Sequence, residues 1–106
     1  MAEKSNHSFR IDKVAGEFQV WLDDSFPFAK MKVKVLERSS GDFLAVPNLF
    51  VLDPLSQEPV YISGLAGSAS EALDDLLTRF VANVRENTPP GGLTETSFVW
   101  SAHEDF

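Results

Sequence analysis

No cysteine occurs among the 106 residues, which excludes thiol catalysis, cysteine-zinc sites and disulfide frameworks together. A reducing compartment, and with it a cytoplasmic location, is the expectation. Histidine is nearly as scarce. His7 and His103 both lie near polar termini, where loose backbone holds a nucleophile and its base poorly in the geometry that catalysis requires. Long apolar runs are missing too. The first residues, MAEKSNHSFR, lack the apolar stretch of a signal peptide, and no segment approaches the ~20 consecutive apolar residues of a membrane span. Neither a cofactor nor a membrane is therefore expected.

Positive charge is in short supply and unevenly spread. Residues 1–53 carry 7 basic and 8 acidic groups, whereas residues 54–106 carry 2 and 8. The resulting negative field, with a net charge of −7, repels phosphate backbones and argues against direct nucleic-acid binding, while it suits a basic protein partner. It is equally the kind of surface that keeps a small domain dispersed.

Apolar and aromatic residues are plentiful. Nine phenylalanines and two tryptophans supply enough surface to bury for a fold without metal or disulfide, and the length suits a single domain spanning 1–106 with loose ends at 1–8 and 103–106. The clearest element is SASEALDDLLTRFVANVREN, residues 68–87. Ala69, Ala72, Leu73, Leu76, Leu77, Phe80, Val81 and Val84 recur at helical spacing, Ser68 and Glu71 form a capping box, and Thr88-Pro89-Pro90-Gly91-Gly92 ends the helix.

Strands are expected on either side of it. Lys30–Glu37 alternates strictly, with Met31, Val33 and Val35 on one face and Lys30, Lys32 and Lys34 on the other. Phe9–Val14 and Glu17–Leu22 read as a hairpin about Ala15-Gly16. Asp23–Phe28 forms a loop whose two phenylalanines can fold back on the sheet. Arg38–Asp42 is a turn leading to a strand at Phe43–Val46, and Pro47 marks an edge, a bulge or the strand's end. Phe50–Leu52 and Val60–Ile62 suggest a longer-looped hairpin, Gly64–Gly67 a lead into the helix, and Thr94–Ala102 a final strand. The sum is an α+β, two-layer domain: an antiparallel sheet of five to six strands, one long helix packed on one face, and the order β-β-β-β-β-α-β.

The pieces Gly41-Asp42-Phe43, Val46-Pro47-Asn48-Leu49, and Gly67-Ser68 with Glu71-Ala72-Leu73 occur in an order that resembles the HicB-like antitoxin N-terminal domain, over residues 30–85. The resemblance implies binding and neutralisation of a small basic toxin that cleaves RNA. It departs from the family in a longer hairpin between Asn48 and Gly67, in residues 1–29, and in the absence of a DNA-binding element after the last strand.

Few residues present themselves for chemistry. His103-Glu104-Asp105 are metal-ligating types, but three neighbours in a tail do not make a preorganised shell. Asp23-Asp24 and Asp74-Asp75 read as turn chemistry and a solvated helix face. Gly64-x-x-Gly67 lacks the Lys-Ser/Thr of a phosphate loop and is followed by acids. The lysines of Lys30–Lys34 could meet nucleic acid or an acidic partner, yet lysines also commonly guard an exposed sheet surface, and that reading is preferred here. The expectation is a non-enzymatic interaction module, antitoxin-like or inhibitor-like, that occludes a basic toxin or nuclease. Its contact is placed on the acidic helix face, Glu71, Asp74, Asp75 and Glu86, with Trp21, Tyr61 and Trp100 as the alternative on the sheet, where a homodimer could also form. A phage or mobile-element inhibitor that mimics nucleic-acid charge, of anti-CRISPR or immunity type, is the alternative among binding proteins. A small enzyme with an unrecognised carboxylate site is the alternative of another class.

Overall fold

The structure, a computed structural model, describes residues 11–106, with Glu104 described by its backbone alone. The expectations for residues 1–8, for His7 and for a strand beginning at Phe9 fall outside the described residues. Strand β2 (Lys30–Glu37) is the middle of the architecture. Its alternation is expressed in full: Met31, Val33 and Val35 are buried, and the lysines between them face the other way. On one side it pairs with β1 (Lys13–Trp21) and on the other with β3 (Phe43–Pro47), both antiparallel. The Arg38–Asp42 turn closes the second pairing. Gly41 adopts φ +92°, where a side chain would be strained, and the Arg38 guanidinium grips the Asp42 carboxylate at 2.8 and 3.3 Å.

Two of the expected hairpins are replaced. Residues Lys13–Trp21 form one strand, with a bulge between Val14 and Gly16 where a turn was expected, because β2 is long enough to pair with both halves. Likewise β4 (Leu49–Val51) does not pair with Val60–Ile62 but with β6 (Phe98–Trp100). Of that hairpin a Leu52–Pro59 bridge persists, with the Val60 N–H donating to the Val51 carbonyl and the Asp53 N–H to the Glu58 carbonyl, both at 2.9 Å. Pro54 and Pro59 offer no backbone donors, and the Asp53 carboxylate turns the chain by accepting the N–H groups of Leu55 and Ser56.

The segment expected merely to lead into the helix is itself a strand, β5 (Gly64–Ala66), paired with β3. Conversely, the final strand is shorter than expected. A 3₁₀ turn at Glu95–Ser97 precedes it and another at His103–Asp105 follows it. The six strands of the described residues thus divide into a four-stranded sheet ordered β1-β2-β3-β5 and a two-stranded β4-β6 ribbon. With helix α1 (Ala69–Glu86) between β5 and β6, the order is β-β-β-β-β-α-β in an α+β arrangement.

Helix α1 starts at the expected N-cap, Ser68, but the expected capping box forms only in its N-cap half, because the Glu71 carboxylate takes the Ser68 hydroxyl instead of the Ser68 backbone N–H. Ser68 accepts the Glu71 N–H at 3.3 Å, and the Glu71 carboxylate accepts the Ser68 hydroxyl at 3.0 Å. Ala72, Leu76, Phe80 and Val84 are buried against Met31, Val33, Val35, Ala45, Leu49, Val51 and Phe98, so sheet, ribbon and helix share one core. Val81, counted in the apolar stripe, stays at its exposed margin. Phe26 stacks on Phe80 with ring centres 5.9 Å apart, and Phe28 meets Phe98 and Trp100 edge-on at 5.7 and 5.0 Å. The breaker-rich loop therefore closes the core's open end.

Candidate functional site

Three surfaces carry the residues singled out from the sequence: the outward arc of α1, the outer side of the β4-β6 ribbon, and the back of the four-stranded sheet. On the outward arc of α1, Glu71, Asp74 and Glu86 are exposed while Asp75 is half-buried. Their equivalence ends there. The Glu71 carboxylate accepts the Ser68 hydroxyl, and the Asp75 carboxylate accepts the Leu65 N–H of β5 and the Arg79 Nε–H, all at 3.0 Å. The Leu65 N–H first, and Arg79 second, hold the Asp75 carboxyl below its ordinary value. Asp75 is thus a strut between helix and sheet rather than a charge presented to a partner. Arg79 and Arg85 lie on the same arc, so the face is acidic at its N-terminal end, where Glu71 and Asp74 lie, and mixed from Asp75 to Glu86.

The three aromatic candidates do not form one patch. Tyr61 and Trp100 line a groove of about 380 Å³ with Val46, Phe50, Pro59 and Val99. This groove lies on the outer side of the β4-β6 ribbon, where Phe50 and Val99 pair in register. Tyr61 is 74% exposed and touches Phe50 edge-on at 5.0 Å, so most of its ring is available for contact. Trp21 stands apart, at the far end of β1, with the Lys30 ammonium 5.3 Å from its ring centre.

The back of the four-stranded sheet holds a group of residues that the sequence did not bring together. Lys30, Lys32 and Lys34 form a row here. In register beside Lys34 lie Glu17 of β1 and Val46 of β3; beside Lys32 lies Gln19, and beside Lys30 lies Trp21. The Lys34 ammonium sits 4.6 Å from the centre of the Phe106 ring. Lys32, Lys34, Asn48, Ser101, His103 and Phe106 line one groove of about 430 Å³, with Glu17 the acid among its lining residues. On the other side of Phe106, Val14, Leu36, Leu44 and Val46 line a second, of about 390 Å³, together with Lys34, Asp12 and Asp105. The only hint of this in the sequence was a lone aromatic at the end of an acidic segment, together with a lysine row lacking acids of its own.

Asn48 builds the joint between the two sheets. Its side-chain oxygen accepts the Lys32 N–H at 2.9 Å, its own N–H donates to the Lys32 carbonyl at 3.0 Å, and its carbonyl accepts the Ser101 N–H at 2.9 Å. Pro47, fully buried, ends β3 just before it. The Val-Pro-Asn-Leu element is therefore the corner at which the chain leaves one sheet for the other.

His103 and Asp105 share a 3₁₀ turn, and among the described residues no group of three or more His, Cys, Asp or Glu is placed to hold a metal ion. Among the described residues no helix is long and apolar enough to cross a membrane. No protein-family model, curated protein or solved structure matches the chain.

Proposed function

We propose that the chain is a non-enzymatic interaction module of antitoxin or inhibitor type, which occludes a basic partner protein such as a toxin or a nuclease. The observation that carries this reading is the acidic end of α1. Glu71 and Asp74 are exposed on the first turns of a helix whose other face is locked into the core, so their charge is presented from a rigid base. Charges held in this way steer an oppositely charged partner and fix its orientation at little entropic cost. The resemblance of residues 30–85 to HicB-like antitoxins supports a ribonuclease toxin as that partner. The groove at Tyr61 and Trp100 adds an apolar anchor of the kind that supplies most of the energy of a protein contact.

The charge-mimicking inhibitor is the second reading, supported by the same acids and by the overall charge of −7. Capture from the native host separates the two. An antitoxin recovers a small basic protein, whose gene is expected beside its own. A charge mimic recovers a larger nucleic-acid-acting enzyme and is displaced from it by nucleic acid. Recovery of neither kind of protein overturns both readings.

A further inference from the structure

We infer that the back of the four-stranded sheet is a second docking surface, of opposite sign to the helix face, which takes an acidic peptide segment bearing an aromatic residue from a partner protein. Lys30, Lys32 and Lys34 stand in a row on β2; Glu17 is the one acid in register beside them on the neighbouring strands, and Asp12, just before β1, shares a groove with Lys34, so the three lysines outnumber the two acids that the sheet brings to them. The Lys32–Glu17 contact is long, at 4.0 Å, and both side chains are about half exposed, with 56% and 51% of their surface open to solvent. A pair of that kind is worth little and yields readily to a better-placed carboxylate.

The chain itself exhibits the occupant's chemistry. Residues 103–106 read His-Glu-Asp-Phe, and His103, Asp105 and Phe106 line the grooves beside Lys32 and Lys34, with Phe106 between the two and its ring against Lys34. A cation over an aromatic face and carboxylates near lysines are the contacts that an acidic, aromatic peptide would make there. The apolar floor of Val14, Leu36, Leu44 and Val46 accepts the ring. At the opposite end of the row, Trp21 and Lys30 repeat the cation-aromatic pair, so a longer segment has a second anchor. An internal segment that occupies a site lowers its apparent affinity for any competitor in proportion to the fraction of time it is bound.

The test uses the full chain and a fluorescein-labelled peptide of sequence Ser-Ala-His-Glu-Asp-Phe, followed by fluorescence anisotropy. Phe106→Ala, which weakens the internal competitor, should bind the peptide about tenfold more tightly than the unaltered chain, the factor expected if the groove is free about one-tenth of the time. Adding Lys32→Glu and Lys34→Glu to that variant should abolish binding. Replacing the peptide's phenylalanine by serine should do the same, and binding should weaken from ~0.05 to ~0.5 M salt. If the double glutamate variant fails to fold by circular dichroism, Lys32→Gln with Lys34→Gln removes the charge without reversing it, and must also weaken binding. No saturation by ~1 mM peptide with Phe106→Ala, or binding indifferent to the lysines, overturns the inference. So does tighter binding of an oligouridylate than of the peptide, which would make the surface a nucleic-acid platform. Dimerisation of Phe106→Ala that the peptide cannot compete away would make the occupant a second copy, and would equally overturn it.

Discussion

Asp75 illustrates how one side chain's role depends on what faces it. Its helical position marks it as a surface acid, yet β5 passes close enough for the Leu65 N–H to bind it. With its folded carboxyl held below the ordinary value, the folded state binds the proton more weakly than the unfolded chain does. Its stabilising effect is therefore complete above the unfolded value of about 4 and is lost as pH falls through the lower folded value. Asp42, held down mainly by Arg38 and then by Ser40, and Asp23, held down by Ser25, act in the same direction. Asp75→Asn should melt below the unaltered protein at neutral pH, and the gap should close as pH drops from ~5 to ~2; a constant gap across that range would mean that the charge contributes nothing. Gly64 is the other decisive residue. A Cβ there would overlap the Ala72 carbonyl and the Leu76 backbone, so the helix rests directly on β5 at that point. Gly64→Ala should cost about 1 to 3 kcal/mol, since the two backbones must separate. Equal urea midpoints for variant and parent would refute the close approach.

At the scale of elements, helix α1 is held more by its packed face than by its ends. Leu76 and Phe80 are 0% and 2% exposed and touch sheet, ribbon and loop together. Leu76→Ala or Phe80→Ala should lower stability by about 2 to 5 kcal/mol through lost burial and the cavity left behind, and chemical denaturation with an unchanged midpoint for both would contradict this packing. Phe80 also supports Phe26, so its loss should loosen the Asp23–Phe28 loop, visible as faster amide exchange there. Strand β1 shows the limit of a single helix. Its register sets Phe18 opposite Val33 on the helix side, yet Phe18 remains 37% exposed because α1 lies over β5, β3 and β2.

At the scale of the whole molecule, acids lead the first turns of α1, and three lysines, with Glu17 and Asp12 near them, stand on the back of the sheet. The proposed basic partner should feel the acids of α1. Asp74→Lys with Glu86→Lys reverses two exposed acids that make no structural contact described above, and leaves the Asp75 strut intact. Surface substitutions of this kind usually change stability by no more than about 0.5 kcal/mol. Association with the captured partner should slow and lose much of its salt dependence. Unchanged rates across a salt series would remove the helix face from the interface and leave the Tyr61–Trp100 groove in its place.

Local patterns determined much of this protein. The span and capping of α1, the alternation of β2, the turn at Gly41 and the α+β order of elements all depend on neighbours within a few residues, which the sequence displays directly. Tertiary structure decided what those patterns do not encode. Strand β4 takes the distant Phe98–Trp100 as its ladder partner on one edge, while the proline-bearing neighbour reaches the other edge through the Val60 N–H to Val51 carbonyl bond. Gly64–Ala66 became a strand because β3 lay beside it, and Asp75 became a strut because β5 did. The acids of the helix face were legible one by one, whereas their division into structural and available charges was not. The row of lysines could be read from the sequence, but the ring of Phe106 against Lys34, 72 residues further along the chain, could not. Such long-range juxtapositions follow from closure of the common core, and no local propensity specifies them.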